Sequence, residues 1–238
     1  MGFLPEEETQ ALREHLEEHL SAPVALDLFI KPTSRLWIPG ARSCDTCDDT
    51  RALLQEVAAL SDRMTLRVHD VAEDAVATEA KGVDAEHLPV LVLLGAAQGR
   101  VRFLGMPTGL ELGTLLSAIL AVASGESGLS PATRTGLRDL GNDAHIRVFV
   151  TPTCPYCPRA ARAAVQMAVA SARVTVDVIA ANEFPDLVDR YGVRGVPKTV
   201  INDTVEFVGA EPETDLLRHV LSAVRPADGA DQALRAAR

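Results

Sequence analysis

Hydrophobic and polar positions along this chain fall into one pattern that is written twice. The first writing opens with Pro5 to Leu20, where Leu12, Leu16 and Leu20 recur at helical spacing with acids on the opposite side. Val24-Ala25-Leu26-Asp27-Leu28-Phe29-Ile30 then alternates around Asp27 and is rich in β-formers, which predicts a strand. From Cys47 to about Leu60 a helix would set Leu53, Leu54, Val57 and Leu60 on one face. Met64 to Val68 predicts a second strand, Val71 to Ala80 a short acidic helix and Val90 to Leu94 a strongly apolar strand. Gly95 to Gly99 turns that strand back into Val101 to Leu104, and a helix over Gly109 to Ala123 closes the unit.

The second writing repeats that order. Ser130-Pro131, an N-cap and first-turn pair, opens a short helix to Leu140. A strand His145 to Val150, a helix Cys157 to Ser171, a strand Val174 to Ile179 and a short helix Pro185 to Tyr191 follow. Lys198 to Ile201 and Val205 to Val208 read as a hairpin around Asn202-Asp203, and Glu211 to Val224 is the last helix. Spacing supports a duplication: Cys47 to Met64 and Cys157 to Val174 are equal intervals, and Pro89 and Pro197 fall 45 and 43 residues after Cys44 and Cys154. The expected division is residues 1–124 and 125–238, with Ser124 to Gly128 as linker and a frayed tail beyond Pro226.

With 238 residues there is room for two cores. A net charge of −10, with no basic stripe, argues against a nucleic-acid partner. The N-terminus is acidic rather than basic and apolar, and the longest uncharged run, Leu112 to Gly125, is 14 residues, too short for a membrane span. These features predict a soluble cytoplasmic protein that does not engage membranes. Charge is unevenly shared: residues 1–120 hold 10 basic and 19 acidic side chains, and residues 121–238 hold 13 and 14.

The four cysteines form Cys44-Asp45-Thr46-Cys47 and Cys154-Pro155-Tyr156-Cys157, each between a predicted strand and a helix. A cysteine at a helix N-terminus is stabilised as thiolate by unpaired backbone N–H groups and the helix dipole. Cys154 would therefore be a nucleophile and Cys157, one turn on, its resolving partner, with Cys44 and Cys47 in the same roles at the first pair. Arg159 and Arg162 follow Cys154, whereas Asp45, Asp48 and Asp49 surround Cys47. Carboxylates oppose thiol ionisation, so Cys154 ranks above Cys44 in turnover, with Arg42 the local feature against this ranking. The alternative for four cysteines is a metal or iron–sulfur site. Met64 and Met167 read as core filler, Trp37 as loop packing, and His15 and His19 as a solvated pair.

Val148 to Thr153 leading into Cys154-Pro155-Tyr156-Cys157-Pro158, with Gly195-Val196-Pro197-Lys198 downstream, resembles the protein disulfide oxidoreductases that carry two thioredoxin folds in tandem. The Pro-Tyr pair between the cysteines is also similar to glutaredoxins. The resemblance implies an α/β fold of two tandem thioredoxin-like units, each a central mixed β-sheet flanked by helices. It implies cis bonds before Pro89 and Pro197, with Tyr156, Val196, Pro197 and Pro89 forming the substrate-binding surface. The activity implied is dithiol exchange with protein disulfides, without a bound cofactor. Electrons would come from a flavoprotein reductase of the thioredoxin reductase kind, with glutathione as a further thiol partner.

Two departures from that pattern stand out. Ten residues, Ser34 to Ser43, intervene before Cys44, so the first site carries an inserted loop. Thioredoxins keep a buried acid six residues before the nucleophile, where Val148 and Ile38 stand here, so another group must assist the resolving thiol's proton.

Overall fold

A computed structural model of the chain describes residues 2–4, 6–31 and 44–224. The inserted segment with Trp37, Ile38 and Arg42, and the tail beyond Pro226, lie outside the described residues. The first unit runs α1 (Glu6–His19), β1 (Val24–Ile30), α2 (Cys47–Ala58), β2 (Met64–Asp70), α3 (Ala75–Ala80), β3 (Val90–Leu94), β4 (Arg100–Leu104) and α4 (Leu110–Ser124). The second runs α5 (Pro131–Arg138), β5 (Ala144–Val150), α6 (Cys157–Ala170), β6 (Val174–Ala180), α7 (Pro185–Arg190), β7 (Lys198–Ile201), β8 (Val205–Val208) and α8 (Glu213–Ala223). Ser130 caps α5, its Oγ accepting from the Thr133 N–H at 3.2 Å.

One element departs from the sequence expectation for a physical reason. The acidic helix is confined to α3, because Asp70 gathers the preceding turn. Its carbonyl accepts from the N–H groups of Glu73 and Asp74, and its side chain from that of Ala72. In β1, Asp27 is buried, with Arg67 Nε donating to Oδ1 at 2.6 Å.

Within each unit the first two strands are parallel and the hairpin strands antiparallel. Side chains alternate between faces. On one face Leu26, Leu28, Val101, Phe103, Val148 and Val176 pack beneath the long helices α2, α4 and α6. On the other, Phe29, Val92, Leu104, Phe149 and Ile179 lie beneath the short helices α3 and α7.

The units are joined edge to edge. β4 pairs in parallel with β6, giving one eight-stranded sheet in the order β2-β1-β3-β4-β6-β5-β7-β8. Arg102 stands opposite Asp177 across the joint, both less than a tenth exposed, and its guanidinium forks onto the carboxylate at 2.6 and 2.8 Å. His145 Nε2 reaches the same carboxylate at 2.6 Å. Burial alone would push the Asp177 pKa up, but the His145 hydrogen bond and the charge and hydrogen bonds of Arg102 hold it below the ordinary value. Above the sheet α4 packs on α6, and the β3–β4 turn docks under α6, Gly99 N–H donating to the Ala168 carbonyl at 2.8 Å. Any Cβ on Gly99 would strike the carbonyls of Val174, Ser171 and Ala168.

Following strand directions across the sheet, β1 is antiparallel to β3, β3 to β4, and β4 is parallel to β6 and hence to β5. The two cysteine-leading strands therefore point the same way. Their C-terminal ends lie four strand steps apart on one edge of the molecule, about 19 Å.

Removing one member of the joint pair leaves a buried charge. Arg102→Met is expected to cost about 3–5 kcal/mol in urea unfolding, and Arg102→Met with Asp177→Leu distinctly less.

Candidate active site

The second cysteine pair sits where strand β5 gives way to helix α6. Thr151 and Pro152 turn the chain, the Cys154 N–H donating to the Thr151 carbonyl at 3.2 Å, and α6 begins at Cys157 with Pro158 in its first turn. Pro158 suits that position because its missing N–H would have no intrahelical partner. Cys154 and Cys157 are disulfide-bonded with Cα atoms 5.5 Å apart. Cys157 is fully buried and Cys154 is 7% exposed. Cys154 Sγ accepts from the Cys157 N–H at 3.2 Å and lies 3.7 Å from the Val196 carbonyl oxygen. Tyr156, between them, is 65% exposed. There is no acid in the first turn of α6. Arg159 bonds the Ala210 carbonyl and Arg162 turns back to that of Pro158.

The first pair has the same covalent form. Cys44 and Cys47 are disulfide-bonded with Cα atoms 5.4 Å apart, Cys47 buried at the start of α2 and Cys44 half-buried. Asp48 and Asp49 occupy the first turn of α2, and Asp48 pairs with Arg51 at 3.0 Å.

Both expected prolines follow cis bonds, Leu88-Pro89 and Val196-Pro197. The Pro89 and Pro197 carbonyls accept from Gly105 and Gly209, equivalent positions in the two hairpins. The N–H groups of Leu88 and Val196 take no partner among the described residues.

Glu111, in the first turn of α4, carries no signal in local sequence. It is 4% exposed, and neither carboxylate oxygen has a hydrogen bond of ordinary geometry. It lines a cavity of about 10 Å³ with Met106, Val150, Thr151 and Pro152, a volume on the scale of one water. Burial pushes its pKa up to about 6, offset in part by the Thr114 hydroxyl. The Leu110 N–H donates to the Pro152 carbonyl at 2.9 Å, so α4 of the first unit is tied to the segment leading into Cys154. Val148, at the position where thioredoxins keep their acid, is fully buried and apolar. A larger cavity, about 210 Å³, opens on the sheet's other face around Arg102, His145 and Tyr191.

Among the described residues no group of three His, Cys, Asp or Glu side chains is arranged to hold a metal ion. Each sulfur pair stands at its own helix start, and the strands leading to the two pairs are separated by the width of three others.

Two dithiol motifs, each with its own cis-proline loop, on one fused sheet define a tandem thioredoxin-fold redox protein. The thioredoxin domain family matches residues 144–222. A thioredoxin of Methanocaldococcus jannaschii is 37% identical over 76 residues, 32% of this chain and 89% of that protein. A protein disulfide oxidoreductase from Aeropyrum pernix superposes with a TM-score of 0.82 at 32% identity, covering 92% of this chain and 93% of that one. An alkyl hydroperoxide reductase component of Pseudomonas putida is 27% identical over 166 residues, 70% of this chain but 29% of that protein. The chain belongs to the thioredoxin-fold protein disulfide oxidoreductases, and its activity is thiol–disulfide exchange.

A carboxyl with a raised folded pKa binds its proton more tightly folded than unfolded. Stability therefore falls as pH rises from about 4.5 to about 6 and is level above. Glu111→Gln abolishes that slope. Urea unfolding should show the variant gaining on the wild type by about 1–2 kcal/mol between pH 4 and pH 8.

Proposed function

We propose that Cys154 and Cys157 carry most of the exchange with protein disulfides and that Cys44 and Cys47 form a second, slower dithiol. The observation that carries this reading is the setting of Cys154 Sγ, between the Cys157 N–H and the Val196 carbonyl with exposed Tyr156 alongside. A thiolate on Cys154 attacks one sulfur of a substrate disulfide, forming a mixed disulfide and releasing the other sulfur as thiolate. Cys157 then attacks Cys154 Sγ, releasing the second substrate sulfur and closing the Cys154–Cys157 bond, so that two electrons pass to the substrate.

Cys157 must lose a proton to attack, and Glu111 is the group proposed to take it, in the part that Val148 cannot play. Its cavity adjoins the Val150 to Pro152 segment that leads to Cys154. A peptide substrate would lie along the Val196-Pro197 loop with Tyr156 against its side chains, and along Leu88-Pro89 at the first site.

The four sulfurs are the redox groups in this reading, with no bound cofactor. Re-reduction falls to a flavoprotein reductase of the thioredoxin reductase kind. The Pseudomonas putida match supports that partner class, since a stretch similar to this chain there belongs to a longer reductase protein. Glutathione is proposed as a further thiol partner from Pro155-Tyr156, and the cytoplasm as the compartment in which such dithiols cycle.

Insulin reduction with dithiothreitol separates the sites. Cys154→Ser should lose at least about tenfold in rate and Cys44→Ser should keep most of it. Full activity in Cys154→Ser would reverse the ranking. Protein purified brown or zinc-loaded, with inert thiols, would replace exchange by metal carriage.

A further inference from the structure

The second unit reaches into the first dithiol site. Thr46, inside the Cys44–Cys47 pair, donates through Oγ1 to Glu183 Oε2 at 2.5 Å, while Glu183 Oε1 accepts from the Met106 N–H at 2.8 Å. Glu183 lies in the turn between β6 and α7, 137 residues beyond Thr46. Gly105 makes room for it: φ there is +86°, and a Cβ would sit 2.7 Å from that of Ala180 and 2.9 Å from Glu183 Oε1.

Neighbouring residues of the same segment extend the contact. Phe184 meets His87 edge to face with centroids 5.7 Å apart, and Asp186 Oδ2 pairs with His87 Nε2 at 2.8 Å. His87 stands two residues before Pro89. One short segment of the second unit therefore touches both halves of the first site, its cysteine motif and its proline loop.

No such contact serves the second site among the described residues. The equal interval from cysteine to strand maps Thr46 onto Tyr156 and Glu183 onto Glu73. Tyr156 is 65% exposed, and Glu73 is exposed in the turn after β2, at the far edge of the sheet.

We propose that Glu183 is a positioning residue for the first dithiol, fixing Thr46 and setting a carboxylate beside the pair, so that Cys44–Cys47 is the harder of the two disulfides to reduce. The proposal rests on the reading that Cys44 and Cys47 exchange electrons. In reduction by dithiothreitol the Cys44–Cys47 bond breaks, the reagent closes to its cyclic disulfide, and two electrons and two protons pass to the cysteine sulfurs. The thiol at the helix N-terminus is then drawn toward thiolate, which stabilises the reduced form. A fixed Glu183 carboxylate, added to Asp48 and Asp49 in the first turn, opposes that ionisation and shifts the balance to the disulfide. At the second site the first turn holds no acid.

The test equilibrates the full-length chain in dithiothreitol buffers of graded ratio, alkylates free thiols, and reads each pair separately by peptide mass spectrometry. The wild type should need a higher reduced-to-oxidised ratio for the first pair than for the second. Glu183→Gln should ease reduction of the first pair by about tenfold, about 30 mV for a two-electron couple, and leave the second unmoved. Thr46→Val, which frees the carboxylate without removing it, should shift the first pair in the same direction by less. Equal midpoints in the wild type, an unmoved first pair in Glu183→Gln, or equal shifts of both pairs would overturn the role. A first pair that never accepts electrons at any ratio would instead overturn the reading beneath it.

Discussion

The ion pair between Arg102 and Asp177 governs this molecule because it sits where two sheets become one. Parallel edge pairing is permissive in itself, since β4 could slide along β6 and still make backbone hydrogen bonds. A buried guanidinium that meets its carboxylate in one register opposes that freedom, because a slip would part the two charges away from water, leaving Asp177 to His145 alone. With that register set, β1 and β5 point the same way and both dithiols emerge along one edge. The packing of α4 on α6, and the closure of Gly99 against the carbonyls beneath α6, follow from the same alignment.

That joint also distributes chemistry between the units. Glu111 belongs to the first unit by sequence, yet its cavity is walled by the segment that presents Cys154. Glu183 belongs to the second and holds the first motif. Each unit thus sets a carboxyl group against a segment of its neighbour that leads into or lies within a cysteine motif. A single thioredoxin-like domain cut from this protein would keep its cysteines and its cis-proline while losing the contact that the other unit makes with that segment.

The local signals were readable and the cross-unit ones were not. Val24–Ile30, Val90–Leu94, Lys198–Ile201 and Val205–Val208 appear in the hydrophobic pattern with the bounds they have in the fold, and the cysteine motifs and both cis-prolines were visible from spacing and resemblance. The partner of Asp27 was not readable, because Arg67 comes from a neighbouring strand 40 residues later. Nothing in the pattern joined β4 to β6, since edge pairing leaves no periodicity of its own. Neither Glu111, in the first turn of α4, nor Glu183, in the turn before α7, stands out in local sequence. Both acquire meaning only when distant segments are brought together.

One row of residues runs straight across the sheet: Arg67, Asp27, Val92, Arg102, Asp177, Arg147, Val200 and Glu206. By the repeat, Arg67 and Asp177 are equivalent, as are Asp27 and Arg147, and Arg102 and Glu206, so every charge changes sign between the copies. Two first units fused in this way would set Arg102 against Arg67, and two second units would set Glu206 against Asp177, like charges face to face. Two identical copies would close this joint less favourably. The halves fit because they are complementary rather than alike, and the same inversion disfavours either unit's pairing with its own kind along that edge.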